Sequence, residues 1–447
     1  MKFDQVKEAL VAAAAEAGLS EYEIYYMNDT SIGCETLKDE ISSFNSGVSG
    51  GVCFRCIYNG KMGYASSELF EAQEMRELVK RAVSNAENMD TDDEPPVIFA
   101  GSEAYAKINN DLSELPSAAA LKKTALEIQK DTYSVSEAVT DGTQSAVMAS
   151  KCEIILVNSH GLDLRGTVGM NGVMVQAVVN ADGESEDEFE FSEGMSRESY
   201  EGISERTVKK ALAKLGACEI ESGKYDVVFS GKQMRSVLSA FSDVFSGKEA
   251  LNGMSLLDGK VGERIAAECI TVVDDPMREG SSMQMNFDGE GVATYRKNVI
   301  ENGVLKTLLY DLATAKKVGV SSTGNGQRAS YTSPVNISPY NFYIRGGEKS
   351  FEALISGVEK GIYITELKGL HAGANAVTGD FSIESAGFLI ENGKLGKAVK
   401  SFTVAGNFFD LLKDIEDISN EVDFGIPSLT TYGAPDALVR QMSVAGK

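Results

Sequence analysis

Three of the chain's six Asn-Gly steps, at Asn59, Asn302 and Asn392, do most to constrain it. Asn-Gly accepts positive φ at both central positions of a tight turn, the geometry whose twist suits a two-stranded hairpin. Asn59-Gly60 separates Val52 to Tyr58 from Lys61 to Tyr64. Asn302-Gly303 and Asn392-Gly393 sit in the similar stretches Val299 to Leu305 and Leu389 to Leu395. Antiparallel hairpins are therefore expected in both halves, although two short matches do not make a repeat architecture. Strand-like patterns also run from Tyr22 to Met27, Ala146 to Val157, Leu164 to Val179 and Tyr225 to Phe229. The acidic stretch Asp182 to Glu190 is expected between strands or at their edge. Helical patterns cover Phe3 to Ala17, Glu68 to Asn88, Ser117 to Asp131, Arg206 to Leu215 and Lys232 to Phe245. Helices segregated from antiparallel strands give an α+β fold.

At 447 residues the chain has room for two or three domains. The acidic, proline-ended segment Asp90 to Pro96 reads as a linker near 89–97, and Gly216 to Gly223 as a second boundary. The expected organisation is an N-terminal mixed α/β domain over 1–218 and a β-rich C-terminal domain over 221–447. The formal net charge of −24 opposes direct nucleic-acid binding, which needs Lys and Arg to displace counterions. It likewise opposes anionic membrane surfaces. No stretch of ~18 apolar residues predicts a membrane span. The start of the chain reads as an Ala-rich helix and not a signal peptide. The six scattered cysteines then suit reduced thiols and a cytoplasmic location.

Two histidines, His160 and His371, exclude a zincin helix, which needs two on one face with a Glu between. Cys53-Phe54-Arg55-Cys56 is a C-x-x-C, but in a strand positions i and i+3 face opposite ways. Gly47 to Gly51 fits G-x-S-x-G, yet no helix follows Ser49 as a nucleophile elbow requires, so a loop before the hairpin is expected. Gly324-Asn325-Gly326-Gln327-Arg328 could cradle an anion but lacks the P-loop ending. Asp288 and Glu290 could serve acid–base work or simply a turn between strands.

Several blocks together resemble one family. Phe287-Asp288-Gly289-Glu290-Gly291-Val292-Ala293-Thr294, Ser322 to Gly326 with Arg328, and Gly369 to Ser382 are similar to the TldD/TldE (PmbA) metallopeptidases. Gly387 to Gly393 and Val404 to Phe409 continue the likeness, and Gly51 to Ser66 matches the family's early hairpin. The resemblance implies a TldE/PmbA-type chain with a metalloprotease-like C-terminal domain. The family's active branch carries H-E-x-x-x-H on the helix after the first strand of that domain, with a Cys near the C-terminus. The matching helix here, Lys232 to Phe245, has neither His nor Glu, and no Cys follows Cys269. The implied chain therefore has no catalytic or metal-binding residues and no cofactor of its own. Zinc is expected in a TldD-type partner, and extended peptides are the expected substrates. Gly324, Asn325, Gly326, Arg328, His371 and Asn375 are candidate substrate or partner surfaces, because glycines permit close backbone approach. Two other readings stand beside this one: a homodimeric peptide- or partner-binding protein without a role in proteolysis, and an independent enzyme using Asp288 and Glu290.

Overall fold

The computed structural model describes residues 2–89, 95–101, 105–108 and 114–447. The core of the expected linker, Asp90 to Glu94, lies outside the described residues. The N-terminal half is built on one antiparallel sheet in the order β3-β2-β1-β4-β5-β6. Its strands are β1 (Tyr22–Leu37), β2 (Glu40–Tyr58), β3 (Lys61–Ser67), β4 (Gln144–Asn158), β5 (Asp163–Ala181) and β6 (Glu184–Glu193). The β2–β3 turn has φ of 51° at Asn59 and 76° at Gly60, as the Asn-Gly reading requires. Asp182 and Gly183 make the equivalent turn into β6, so the acidic stretch is a turn followed by an edge strand.

Alternation gives this sheet two different faces. Ile24, Val52, Phe54, Cys56, Ile155 and Val157 point to one side. There they meet Val6 and Leu10 of α1 (Phe3–Glu16) and Met75, Leu78 and Ala82 of α2 (Ala72–Asn88). These helical positions recur at spacings of three and four, so each helix buries one stripe. Farther along the same face, Cys34, Val147, Val173 and Val175 pack on Leu121, Ala125 and Ile128 of α3 (Ala118–Val135) and on Ile203 of α4 (Ile203–Lys214). Tyr25, Cys53, Cys152, Ile154 and Leu156 point the other way. They pack on Met285, Phe287 and Tyr340 from the C-terminal half. Cys53 and Cys56 thus lie on opposite faces, as the strand phase predicted.

The C-terminal half holds two six-stranded sheets. One contains β7 (Gly223–Phe229) between the strands Lys360–Lys368 and Ala437–Ala445. Helix α5 (Gly231–Ala240) follows directly and starts at Ser230, whose side chain accepts from the Gln233 N–H. Met234, Val237, Leu238 and Phe241 join Val227 and Phe229 of one sheet to Val272 and Phe342 of the other in a single core. The Phe241 ring stacks on Phe408 at 4.6 Å. The hairpins at Asn302-Gly303 and Asn392-Gly393 form with both turn residues at positive φ. The fold is α+β.

Two expectations are corrected. Gly47 to Gly51 is not a loop; it lies inside β2, paired with Ser31 to Met27 of β1. The helix from Lys232 stops at Ala240. A 3₁₀ turn, Ser242–Phe245, follows, because the chain leaves helical geometry at Phe241 (φ −108°, ψ 9°).

Candidate functional site

The helix α5 opens onto a cleft of about 850 Å³ between the two halves. One wall is β6 and α4; the other is the start of α5 together with Tyr363, Phe388, Phe424 and Asp436. β6 is the last strand of its sheet and offers an unpaired edge. That edge is protected. Lys214 Nζ donates to the Asp187 carbonyl at 2.7 Å, and Lys232 Nζ reaches the Phe189 carbonyl at 3.4 Å. Glu188 Oε1 accepts from the Phe189 N–H at 3.0 Å. Lysines capping edge carbonyls are a common guard against unwanted strand addition.

The same lysines clamp Glu188, at 2.7 Å from Lys214 and 2.6 Å from Lys232. Burial disfavours the Glu188 charge, but the two ammonium groups outweigh it and hold the carboxyl down to about 2. This triad ties β6 and α4 to the first turn of α5. Asp436 sits at the other side of that turn. Its Oδ1 accepts from the Gly231 N–H at 2.9 Å and from the Tyr363 hydroxyl at 3.2 Å. Arg235 binds Asp423 at 2.6 Å. The cleft therefore combines a strand edge, a helix start and aromatic walls, a combination that suits an extended chain.

A second constellation lies where the inner face of the N-terminal sheet meets the C-terminal half. Glu23 of β1, 0% exposed, faces Arg55 of β2 and Arg328. Arg55 Nη2 donates to Glu23 Oε2 at 3.1 Å, and Arg328 Nη2 donates to Glu23 Oε1. The Arg328 guanidinium also lies 4.5 Å from the Tyr25 ring centroid. Arg55 stands 3.5 Å from Glu290 Oε1, and the other Glu290 oxygen accepts the Leu312 N–H at 2.8 Å. Burial works against the Arg55 charge, while Glu23 and Glu290 hold it protonated.

Asp288 and Glu290 are both buried. Asp288 accepts three backbone N–H groups, from Glu290 (2.9 Å), Val292 (3.0 Å) and Gly326 (2.9 Å). Burial, then repulsion from Glu290, pushes its carboxyl up to about 8 against those bonds. Burial likewise raises Glu290. Glycine is required here by contact: a Cβ on Gly326 would meet Glu290 Oε2 at 2.7 Å, and one on Gly289 would meet the Gly326 carbonyl at 2.8 Å. The Phe287-to-Thr294 and Ser322-to-Arg328 blocks are thus two strips of backbone pressed together by a carboxylate.

The candidate surface residues divide between two places. Gly324, Asn325, Gly326 and Arg328 are interior, which corrects the expectation of an open surface. Asn325 Nδ2 donates to Asp274 Oδ2 (2.8 Å), a carboxylate that also binds Lys297 at 3.0 Å. Burying Asn325, Asp274 and Lys297 is tolerable because each finds a partner. His371 and Asn375 are exposed, on and just after the four-residue helix Leu370–Gly373. Asn375 Oδ1 accepts the Val377 and Thr378 N–H groups, which is ordinary turn chemistry. Glu23, Arg55, Glu188 and Asp436 were not singled out from sequence. A signal existed for two of them: Glu23 and Arg55 are charges placed within otherwise apolar strand segments.

No helix among the described residues is long and apolar enough to cross a membrane. Models of the PmbA/TldA metallopeptidases match residues 22–86 (domain 1), 110–215 (central domain) and 222–446 (C-terminal domain). A metalloprotease of Methanocaldococcus jannaschii is 25% identical over 401 residues, 88% of each chain. The metalloprotease PmbA of Escherichia coli O157:H7 is 24% identical over 454 residues, 99% of this chain and 97% of its own. The crystal structure of TldE from Thermococcus kodakarensis superposes with a TM-score of 0.90 at 25% identity, over 99% of this chain and all of that one. With family models spanning most of its length, the chain belongs to the PmbA/TldD metallopeptidase family.

Proposed function

We propose that this chain is a non-catalytic, TldE/PmbA-type subunit of a zinc metalloprotease, walling the path of an extended peptide while a TldD-type partner supplies the metal. The observation that carries this reading is the donor set of α5, which does not fit a zinc ion. Zinc takes thiolate, imidazole or carboxylate ligands. α5 instead presents Lys232 and Arg235, each bound to a carboxylate, and Gln233, which donates to the Thr365 carbonyl at 2.7 Å. Ser236 turns back to the Lys232 carbonyl at 2.8 Å. The activated water of such a protease would come from the partner.

What this chain supplies is a place for the peptide. The β6 edge and the aromatic walls of the cleft can receive an extended backbone once Lys214 and Lys232 swing off the Asp187 and Phe189 carbonyls. Lysine side chains are long and flexible, so this exchange needs no backbone movement. The independent-enzyme reading is less favoured, because Asp288 is committed to three N–H groups. Elemental analysis of the purified chain tests the carrying observation. The expected result is no stoichiometric zinc; about one tightly held zinc per chain, as a structural or catalytic site would give, overturns it.

A further inference from the structure

A pocket of about 350 Å³ lies beside the buried ion cluster, away from the α5 cleft. Among the described residues its charged wall is Arg55, Arg328, Lys61, Glu290 and Asp311, with Cys53 and Val335 adjoining, and Lys61 already gives its Nζ to the Met89 carbonyl at 2.7 Å. The charges are only partly used. Arg328, 4% exposed, gives one Nη to Glu23 and interacts with the Cys53 thiol, while its Nε finds no acceptor among the described residues. A buried guanidinium with idle donors is costly unless something fills them. The acceptor side is similar. Glu290 Oε1 meets Arg55 only at 3.5 Å, and among the described residues Asp311 is engaged through Oδ1, capping the helix Leu312–Val318 through the Thr314 N–H at 2.8 Å.

Under-used donors and under-used acceptors thus share one small chamber. A bare anion entering it would face Glu290 and Asp311, and a bare cation would face two guanidinium groups. A zwitterion satisfies both. We infer that this cavity binds the charged ends of a small zwitterion, a free α-amino acid or a dipeptide, with its carboxylate on Arg328 and its ammonium group toward Asp311 and Glu290. The planar guanidinium fork matches a carboxylate. The volume lies within the range of small-molecule pockets. Met62 and Val97 on the remaining wall offer apolar contact to a side chain. The inference does not depend on the protease reading, and its test uses this chain alone.

The test is isothermal titration of the purified chain with the dipeptide Ala-Leu in three forms: both ends free, N-acetylated, and C-amidated. The free form is expected to bind saturably, and each blocked form to lose at least about tenfold, the equivalent of one charged contact. Asp311→Asn keeps an oxygen for the helix cap; it should weaken the free dipeptide and leave the weak N-acetylated form unchanged. Absence of saturable binding by the free form up to about 10 mM, equal binding of all three forms, or equal weakening of both forms by Asp311→Asn would each overturn the inference. The three-form comparison on the unaltered chain decides the matter even where the variant fails to fold.

Discussion

Replacing Glu23 by Gln should be among the most damaging single changes in the molecule. Glu23 is fully buried and is the shared anion of two guanidinium groups, Arg55 and Arg328. The amide keeps the shape and removes the charge. Arg55 retains Glu290 at 3.5 Å, whereas Arg328 retains no anion and is left with the neutral amide oxygen, the Cys53 thiol and the face of Tyr25. Removing one partner of a buried ion pair costs about 3–5 kcal/mol, because the remaining charge stays desolvated. The cation–π contact softens this by no more than about 2 kcal/mol and is already present in the parent. At about 2 °C per kcal/mol for a large domain, the melting temperature should fall by roughly 6–10 °C. Differential scanning fluorimetry gives the shift, and urea titration gives the energy. A double-mutant cycle with Arg328→Gln should show the pair: the double variant should lose clearly less than the sum of the two single losses. A loss for Glu23→Gln below about 1 kcal/mol, the size seen for solvent-screened pairs, together with additive behaviour, would refute the reasoning.

Further consequences concern titration and thiol chemistry. Asp288 titrates near 8 in the folded chain, far above the ordinary carboxyl value, so folding takes up a proton there. Its contribution to stability is complete at low pH and is lost as pH rises from about 4 to about 8. The stability of Asp288→Asn relative to the parent should therefore improve across that window and level off above it; a relative stability that stays flat or falls with rising pH would contradict the assignment. The cysteines should remain separate thiols, since Cys53 and Cys56 face opposite sides of β2 and burial raises both. Alkylation of the native protein followed by mass spectrometry should modify exposed Cys218 first, and protection of a Cys53–Cys56 pair reversed by reductant would count against it.

Local chemistry was legible in the sequence, and long-range chemistry was not. The hairpin at Asn59-Gly60 and the stripes of α1 and α2 follow from turn preference and helical spacing, signals carried by neighbours in the chain. β1 was expected only from Tyr22 to Met27 but runs on to Leu37. Its second half, Asn28 to Thr36, is polar and irregular, and is held extended by pairing on both sides with β2 and β4. Gly47 to Gly51 became strand for the same reason: ladder hydrogen bonds from a partner overrode weak propensity. The ion cluster was hidden because Arg328 meets Glu23 across 305 positions. From sequence the Gly324-to-Arg328 loop looks like any flexible turn; its burial depends on the Asp288 carboxylate receiving the Gly326 N–H. The Glu188 triad was equally invisible, since Lys214 and Lys232 are unremarkable lysines until β6 is brought against α5.

The central proposal, that this chain shapes a peptide path but leaves the metal chemistry to a partner, is tested most directly by a peptide-cleavage assay. The assay compares this chain alone, a TldD-type protein carrying H-E-x-x-x-H alone, and the two mixed, each with and without chelator. An extended peptide should be cut by the mixture only, with chelator abolishing the activity. Chelator-sensitive cleavage by this chain alone would contradict the division of labour. Full activity of the TldD-type protein alone would contradict the need for this subunit and favour a separate peptide- or partner-binding role.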